Sequence, residues 1–197
     1  MPTTPSLVRA ALSYPTRGLP VLPCHWPAPT NLPQFCSCGD LECRRPAEHP
    51  IGTLTPADAT RDLGQLSRWW LAHPIANPAL TTDETRVGVL ELRHAGPPDE
   101  VLRFLNVNLA DPGPVIASGP DRLQFLVTPD HTSPHDLPSE IRRLDPGEVV
   151  LLPPSRRMNG ERVRWIRRLV TTTRLPDLAP LLDTLSQLVL DLDAATT

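Results

Sequence analysis

Cys36-Ser37-Cys38-Gly39-Asp40-Leu41-Glu42-Cys43, followed by Glu48-His49-Pro50, is the stretch from which the organisation of this chain can be read. Three thiols and one imidazole fall within fourteen residues there. The surrounding segment, residues 24–56, is rich in Pro, Gly and Cys and has little hydrophobic periodicity, so it reads as an irregular insertion without a core of its own. Zinc suits such a segment, because tetrahedral coordination by thiolate and imidazole takes the place of apolar burial. The expected ligands are Cys36, Cys38, Cys43 and His49, and four protein ligands make a structural site with no open position for water. Cys36 and Cys38 are too close for a comfortable disulfide, and without a recognisable signal peptide the chain is expected in a reducing, cytoplasmic compartment. Cys24 reads as a small buried side chain at a strand end, and His25 as a substitute ligand should His49 point away.

Pattern is clearer on either side of the insertion. Ser6 is a plausible N-cap for a helix through Leu12, with Gly18 as its stop, and an apolar strand follows at residues 19–22. Leu63, Leu66 and Trp70 fall at i, i+3 and i+7 and predict a helix to Ala72, ended by Pro74. Residues 86–92 are strand-like, and Pro98-Asp99-Glu100 opens a helix carrying Val101, Leu102, Leu105 and Leu109, with its acids at the positive end. Strands are expected at 114–118, 122–128, 148–152 and 162–166, with a polar Pro-rich loop in the middle. A broad apolar stripe from Leu178 to Leu192 predicts a final amphipathic helix over 177–192. Strands of this kind interleaved with helices suggest an α+β fold with the helices packed on one mixed sheet.

The composition agrees with a globular protein. At 197 residues and 21.7 kDa, with 40% hydrophobic and 21% charged residues, the chain can bury a core without disulfides. No apolar run approaches the length of a membrane span, so no membrane partner is expected. A net charge of −3 and a pI near 6.0 exclude a generic nucleic-acid sponge. All 19 basic residues are arginine, and the window from Arg156 to Arg168 holds six of them against Glu161 alone, a local charge of +5. That window is either one basic face on a mildly acidic body or a solvated pair of strands with alternating Arg.

The residues also resemble a known family. Arg17-Gly18-Leu19-Pro20-Val21-Leu22-Pro23, the Cys/His block, Asp58-Ala59-Thr60, Trp69-Trp70 and Pro74-x-Ala76-Asn77 are similar to the bifunctional DNA primase/polymerase domain, the prim-pol branch of the archaeo-eukaryotic primase superfamily. A late block, Val149-Val150-Leu151-Leu152-Pro153-Pro154-Ser155 with Asn159-Gly160 and Arg164-Trp165, resembles the same family. The fold implied is α+β, a primase-polymerase (RRM-like) mixed β-sheet core with flanking helices and a zinc-stapled loop. On that reading residues 1–170 form the prim-pol-like domain, with the insertion at 24–56, and residues 171–197 form an amphipathic helix packed on it.

The resemblance also implies chemistry. Family members join nucleotides with two divalent ions, Mg2+ or Mn2+, held by converging acids, since the ions must bridge phosphate oxygens on both sides of the displacement. The family's strand reads Val-Leu-Asp-x-Asp, whose acids at i and i+2 project from one face. Here the stretch is Val89-Leu90-Glu91-Leu92-Arg93, so Glu91 keeps one carboxylate and Arg93 puts a permanent cation in place of the other. Such a charge about 4 Å from a metal ion costs of order 4 kcal/mol at an effective dielectric near 20. Arg93 is expected to pair with Glu91 and take the electrostatic place of the ion. The family's Ser-Gly-Gly stretch leading to a phosphate-binding His looks like Ser118-Gly119-Pro120-Asp121-Arg122-Leu123, with Leu123 in the His position, and its third acid falls near Arg142, with Asp145 and Glu148 as the nearest carboxylates.

Glu91 is therefore expected as a vestigial catalytic residue, and Ser118, Arg122, Ser155, Arg164, Trp165 and Arg167 as candidates for contact with nucleic acid or nucleotide. Trp69 and Trp70 read as packing residues, and His73, His131 and His135 need no role. The function implied is a prim-pol-like domain without nucleotidyl transfer that keeps a binding role on single-stranded DNA or nucleotide, or a regulatory role, in replication or repair. Two competing readings stand beside it. In one, Glu91 with Asp83, Glu84 or Asp145 rebuilds a metal site and polymerase activity persists. In the other, the chain is an interaction scaffold whose Leu-rich helix or Pro-rich loops meet a protein partner or a second copy.

Overall fold

A computed structural model describes residues 4–28, 35–93, 97–109, 111–130, 137–170 and 174–196. In chain order the elements are α1 (Thr4–Ser13), β1 (Val21–Cys24), α2 (Leu63–Ala72), β2 (Asn77–Thr81), β3 (Gly88–Arg93), α3 (Pro98–Asn108), β4 (Val115–Ala117), β5 (Arg122–Val127), β6 (Ile141–Arg143), β7 (Val149–Leu151), β8 (Arg164–Arg167) and α4 (Leu178–Thr196). The expected α+β class holds. Instead of one mixed sheet there are two, and every strand pair with a defined register is antiparallel. The chain divides into two compact units, one of residues Met1–Thr81 with Gly147–Arg164, the other of Thr82–Pro146 with Trp165–Thr197.

The first unit is built on a three-stranded sheet in the order β1-β2-β7, with Val21 opposite Leu80 and Leu80 opposite Val150. α1 and α2 pack on it and on each other, burying Leu7, Ala11, Leu66 and Trp70. Asp62 caps α2, its carboxylate accepting from Gln65 N at 2.7 Å, and the Trp70 indole N–H reaches Ala76 O at 3.3 Å after the helix ends. Ser6 is not the N-cap expected of it, because α1 already begins at Thr4. Gly18, at φ 82°, closes a short 3-10 turn over Pro15–Arg17, so the chain enters β1 two residues later than its apolar pattern suggests.

The second unit holds a five-stranded sheet, β6-β3-β5-β4-β8. One face is covered by α3 and α4, where Leu90, Leu92, Leu123, Phe125 and Val127 meet Val101, Leu105, Leu181 and Leu185. Two strands escaped the sequence pattern. Every residue of β2 is buried, so its side chains do not alternate, and Pro78 disguises it further. β6 is a three-residue edge strand of which only Ile141 is buried, inside the stretch read as a polar loop. His131 and His135 lie outside the described residues. Among the described residues no helix is long and apolar enough to cross a membrane.

Candidate functional site

The Cys/His loop brings all four expected ligands together. One ligand atom from each of Cys36, Cys38, Cys43 and His49 lies within 4.8 Å of the others, and His49 Nε2 is 3.5 Å from Cys36 Sγ and 3.4 Å from Cys43 Sγ. A tetrahedron with bonds of about 2.3 Å to sulfur and about 2.0 Å to nitrogen has sulfur-to-nitrogen edges of about 3.5 Å, so the donor set can hold a metal ion and is compatible with zinc. Local backbone explains the convergence. Gly39, at φ 80°, folds the chain back so that its N–H donates to Cys36 O at 3.1 Å, placing Cys36 and Cys38 on the same side of the turn. The Ala47 N–H points at Cys36 Sγ from 3.2 Å, a donor that steadies a thiolate in its metal-binding state.

The two residues beside the loop behave differently. Cys24 is fully buried, and burial pushes its thiol well above the usual range, as expected of an inert packing residue. His25 lies tilted against His49, ring centroids 4.4 Å apart, and its Nδ1 lies 2.8 Å from Ser37 Oγ, so it supports the loop from outside the four-ligand group. Burial, then the neighbouring His49 and His73, hold its pKa down at about 4.

Asn77 fastens the loop to the sheet, a role not read from the sequence. Only 1% exposed at the start of β2, it donates from Nδ2 to His25 O at 3.1 Å, Ala47 O at 3.2 Å and Arg156 O at 2.8 Å, and accepts from Arg156 N at 3.0 Å. One side chain thus joins the strand, the metal loop and the segment after Ser155. The available signal was an amide within a run of buried apolar residues, which persists only where its hydrogen bonds are satisfied.

On the other unit, the face of the sheet opposite the helices carries Glu91, 3% exposed. Strand parity sets its company. Glu91 lies opposite Gln124 of β5 and Arg142 of β6, while Arg93 lies opposite Arg122. The firmest contact is a hydrogen bond from Gln124 Nε2 to Glu91 Oε2 at 2.9 Å. Arg93 Nε is 3.9 Å and Arg122 Nε 3.7 Å from Glu91 Oε1, so the expected Arg93 pair is present but is shared with the less exposed Arg122. Gln124 Oε1 is buried and among the described residues has no hydrogen-bond partner. Leu123 points into the helix-covered core, so the residue of this turn that faces the carboxylate side is Arg122, one position earlier than the family resemblance implied. A divalent pair calls for converging acids; the donors here are one carboxylate and one amide beside two guanidinium groups, and among the described residues no acidic cluster forms around Glu91.

The remaining candidates are dispersed. Asp83 accepts from Thr85 N and Arg86 N in the turn before β3, and Asp83 and Glu84 line a cavity of about 200 Å3 with Asp130 and Arg143, near Gly88 at the far end of β3 from Arg93. Ser118 is buried and its N–H donates to Arg122 O, closing the β4–β5 hairpin. Ser155 is fully buried, its hydroxyl donating to Pro78 O at 2.9 Å, which commits it to the fold of its turn. Arg164 and Trp165 are neighbours on β8 and so project to opposite sides, while Arg167, on the Trp165 side, is held by Asp111 at 2.8 Å and Asn106 at 3.3 Å. Trp70 is buried, in keeping with packing, and Trp69 is half-exposed.

Neither the curated proteins nor the solved structures yield a match to this chain. A family model does: bifunctional DNA primase/polymerase, N-terminal, matches residues 11–180, a span that includes both the Cys/His loop and the Glu91 strand. With the four-ligand loop and the α+β architecture in place, the chain belongs to the bifunctional DNA primase/polymerase N-terminal family.

Proposed function

We propose that this chain is a prim-pol domain that holds a structural zinc ion, does not catalyse nucleotidyl transfer, and acts in the cytoplasm by binding single-stranded DNA or nucleotide in replication or repair. The observation that carries the reading is the surroundings of Glu91. Phosphoryl transfer by two metals needs acids that neutralise one another's repulsion through the ions. Here the neighbours of the single carboxylate are Arg93 at 3.9 Å and Arg122 at 3.7 Å, fixed cations that repel a divalent ion and attract phosphate.

Primer synthesis on a single-stranded template with labelled nucleotides and Mn2+ tests the loss of catalysis. No product is expected from the wild type. Product that disappears in Glu91→Ala would overturn the reading and reinstate an active primase. Fluorescence anisotropy with single-stranded DNA at low and moderate salt tests binding, which is expected to weaken steeply as salt rises. Salt-independent or absent binding would favour a scaffold that meets a protein partner or a second copy.

A further inference from the structure

We propose a second cationic surface, beside the Cys/His loop, that docks the phosphate backbone of a single nucleic-acid strand; it rests on the nucleic-acid reading above and supplies residues that reading did not include. The first unit carries an open cleft of about 320 Å3 whose lining includes Arg44, Arg45, Glu48, Arg157, Met158 and Asn159. Among the described lining residues the one carboxylate, Glu48, is ion-paired with Arg157. Arg44 and Arg45 are exposed, and among the described residues neither forms an ion pair. The Arg45 guanidinium reaches Val149 O at 3.5 Å, the outer limit of a hydrogen bond. The side-chain carbonyl of Asn159 already accepts from Glu161 N at 3.1 Å, so the donor end of its amide is the one available to a ligand.

Close by in the chain, an isolated antiparallel bridge pairs Arg156 with Arg162. Neither side chain lines the cleft, so they add only to the positive charge of this unit; burial followed by Arg162 holds Arg156 below its usual range. Preorganisation comes from the metal centre. Arg44 and Arg45 follow the ligand Cys43 immediately and precede His49 by a few residues, so a bound ion would hold their backbone at both ends. Guanidinium forks held at fixed spacing suit phosphate oxygens bidentately. The only apolar side chains in the lining are Pro46 and Met158, too little for the central anchor of a protein interface but enough for a sugar or a base edge.

Anisotropy with an end-labelled oligo(dT) across a salt series tests the surface, using the full chain with its metal content measured. Removing two phosphate contacts in Arg44→Ala with Arg45→Ala is expected to weaken binding roughly 10-fold and to flatten the log–log salt slope by about 1.4. Arg44→Lys with Arg45→Lys should keep most of the slope, and Arg61→Ala with Arg103→Ala should bind as the wild type does. Should the double alanine variant lose its metal, Asn159→Asp puts a negative charge in the cleft without touching the loop and is expected to weaken binding about 3-fold. Wild-type binding by the metal-loaded double alanine variant, or by Asn159→Asp if the metal is lost, overturns this surface and leaves the function reading standing. Failure of the wild type to bind oligo(dT) overturns both, and capture of a polyglutamate peptide in its place would mark the cleft as a surface for acidic protein.

Discussion

Four potential ligand atoms within 4.8 Å of one another on one unit, and a carboxylate with two guanidinium groups within 3.9 Å on the other, are two different polar clusters in one chain. Among the described residues of the Cys/His loop the buried apolar side chains are few, Cys36, Ala47 and Ile51, so losing a ligand would cost the fold of the segment. The sheet face has a core behind it, in which Leu90, Leu92 and Phe125 meet α3 and α4, so the charges in front of it can change without loss of structure. A donor set that stands in for a core is therefore held by stability, whereas one set in front of a core is free of that constraint.

Experiments can break or sharpen that contrast. Cys38→Ser should have the largest effect, lowering stability by at least about 4 kcal/mol with loss of bound metal, read by thermal unfolding and by mass spectrometry of the intact protein. Less than half an equivalent of metal in the purified wild type would remove the structural-site reading. Asn77→Ala leaves buried carbonyls at Ala47 and Arg156 without their donor and should cost about 3 kcal/mol in urea unfolding; a loss below about 1 kcal/mol would show that the loop holds to the sheet without it.

On the sheet face, Arg93→Asp rebuilds a pair of acids at i and i+2 beside Glu91. Mn2+ affinity, followed by electron paramagnetic resonance, is expected to rise at least about 10-fold over the wild type, equivalent to about 1.4 kcal/mol. An unchanged affinity would mean that Arg122 alone suffices to exclude the ion. Glu91→Gln keeps an acceptor for Gln124 but removes the charge between two partly exposed arginines, and should cost only about 1 kcal/mol. Smallest of all, Arg167→Ala breaks a surface pair with Asp111 and should change stability by less than about 0.5 kcal/mol in the same unfolding assay.

The Cys36, Cys38, Cys43 and His49 cluster, α2, α3 and α4 were legible in the amino-acid sequence, because each depends on residues that are near neighbours along the chain. Helical spacing, a Pro-Asp-Glu helix start and a Cys-x-Cys turn are local devices. What escaped was decided at a distance. β2 became a strand through pairing with β1 and β7, and β6 through pairing with β3, with no alternation in either to announce it. The register of β3 against β5 made Arg122 rather than Leu123 the neighbour of Glu91, since a shift of one residue exchanges the two faces of a strand. Ser155 and Asn77, both polar, were drawn into the core because carbonyls from remote segments were there to be satisfied. Sequence alone thus determined which chemical groups this protein owns, and tertiary packing decided which of them meet, because a hydrogen bond or an ion pair depends on separation in space and a motif records only separation along the chain.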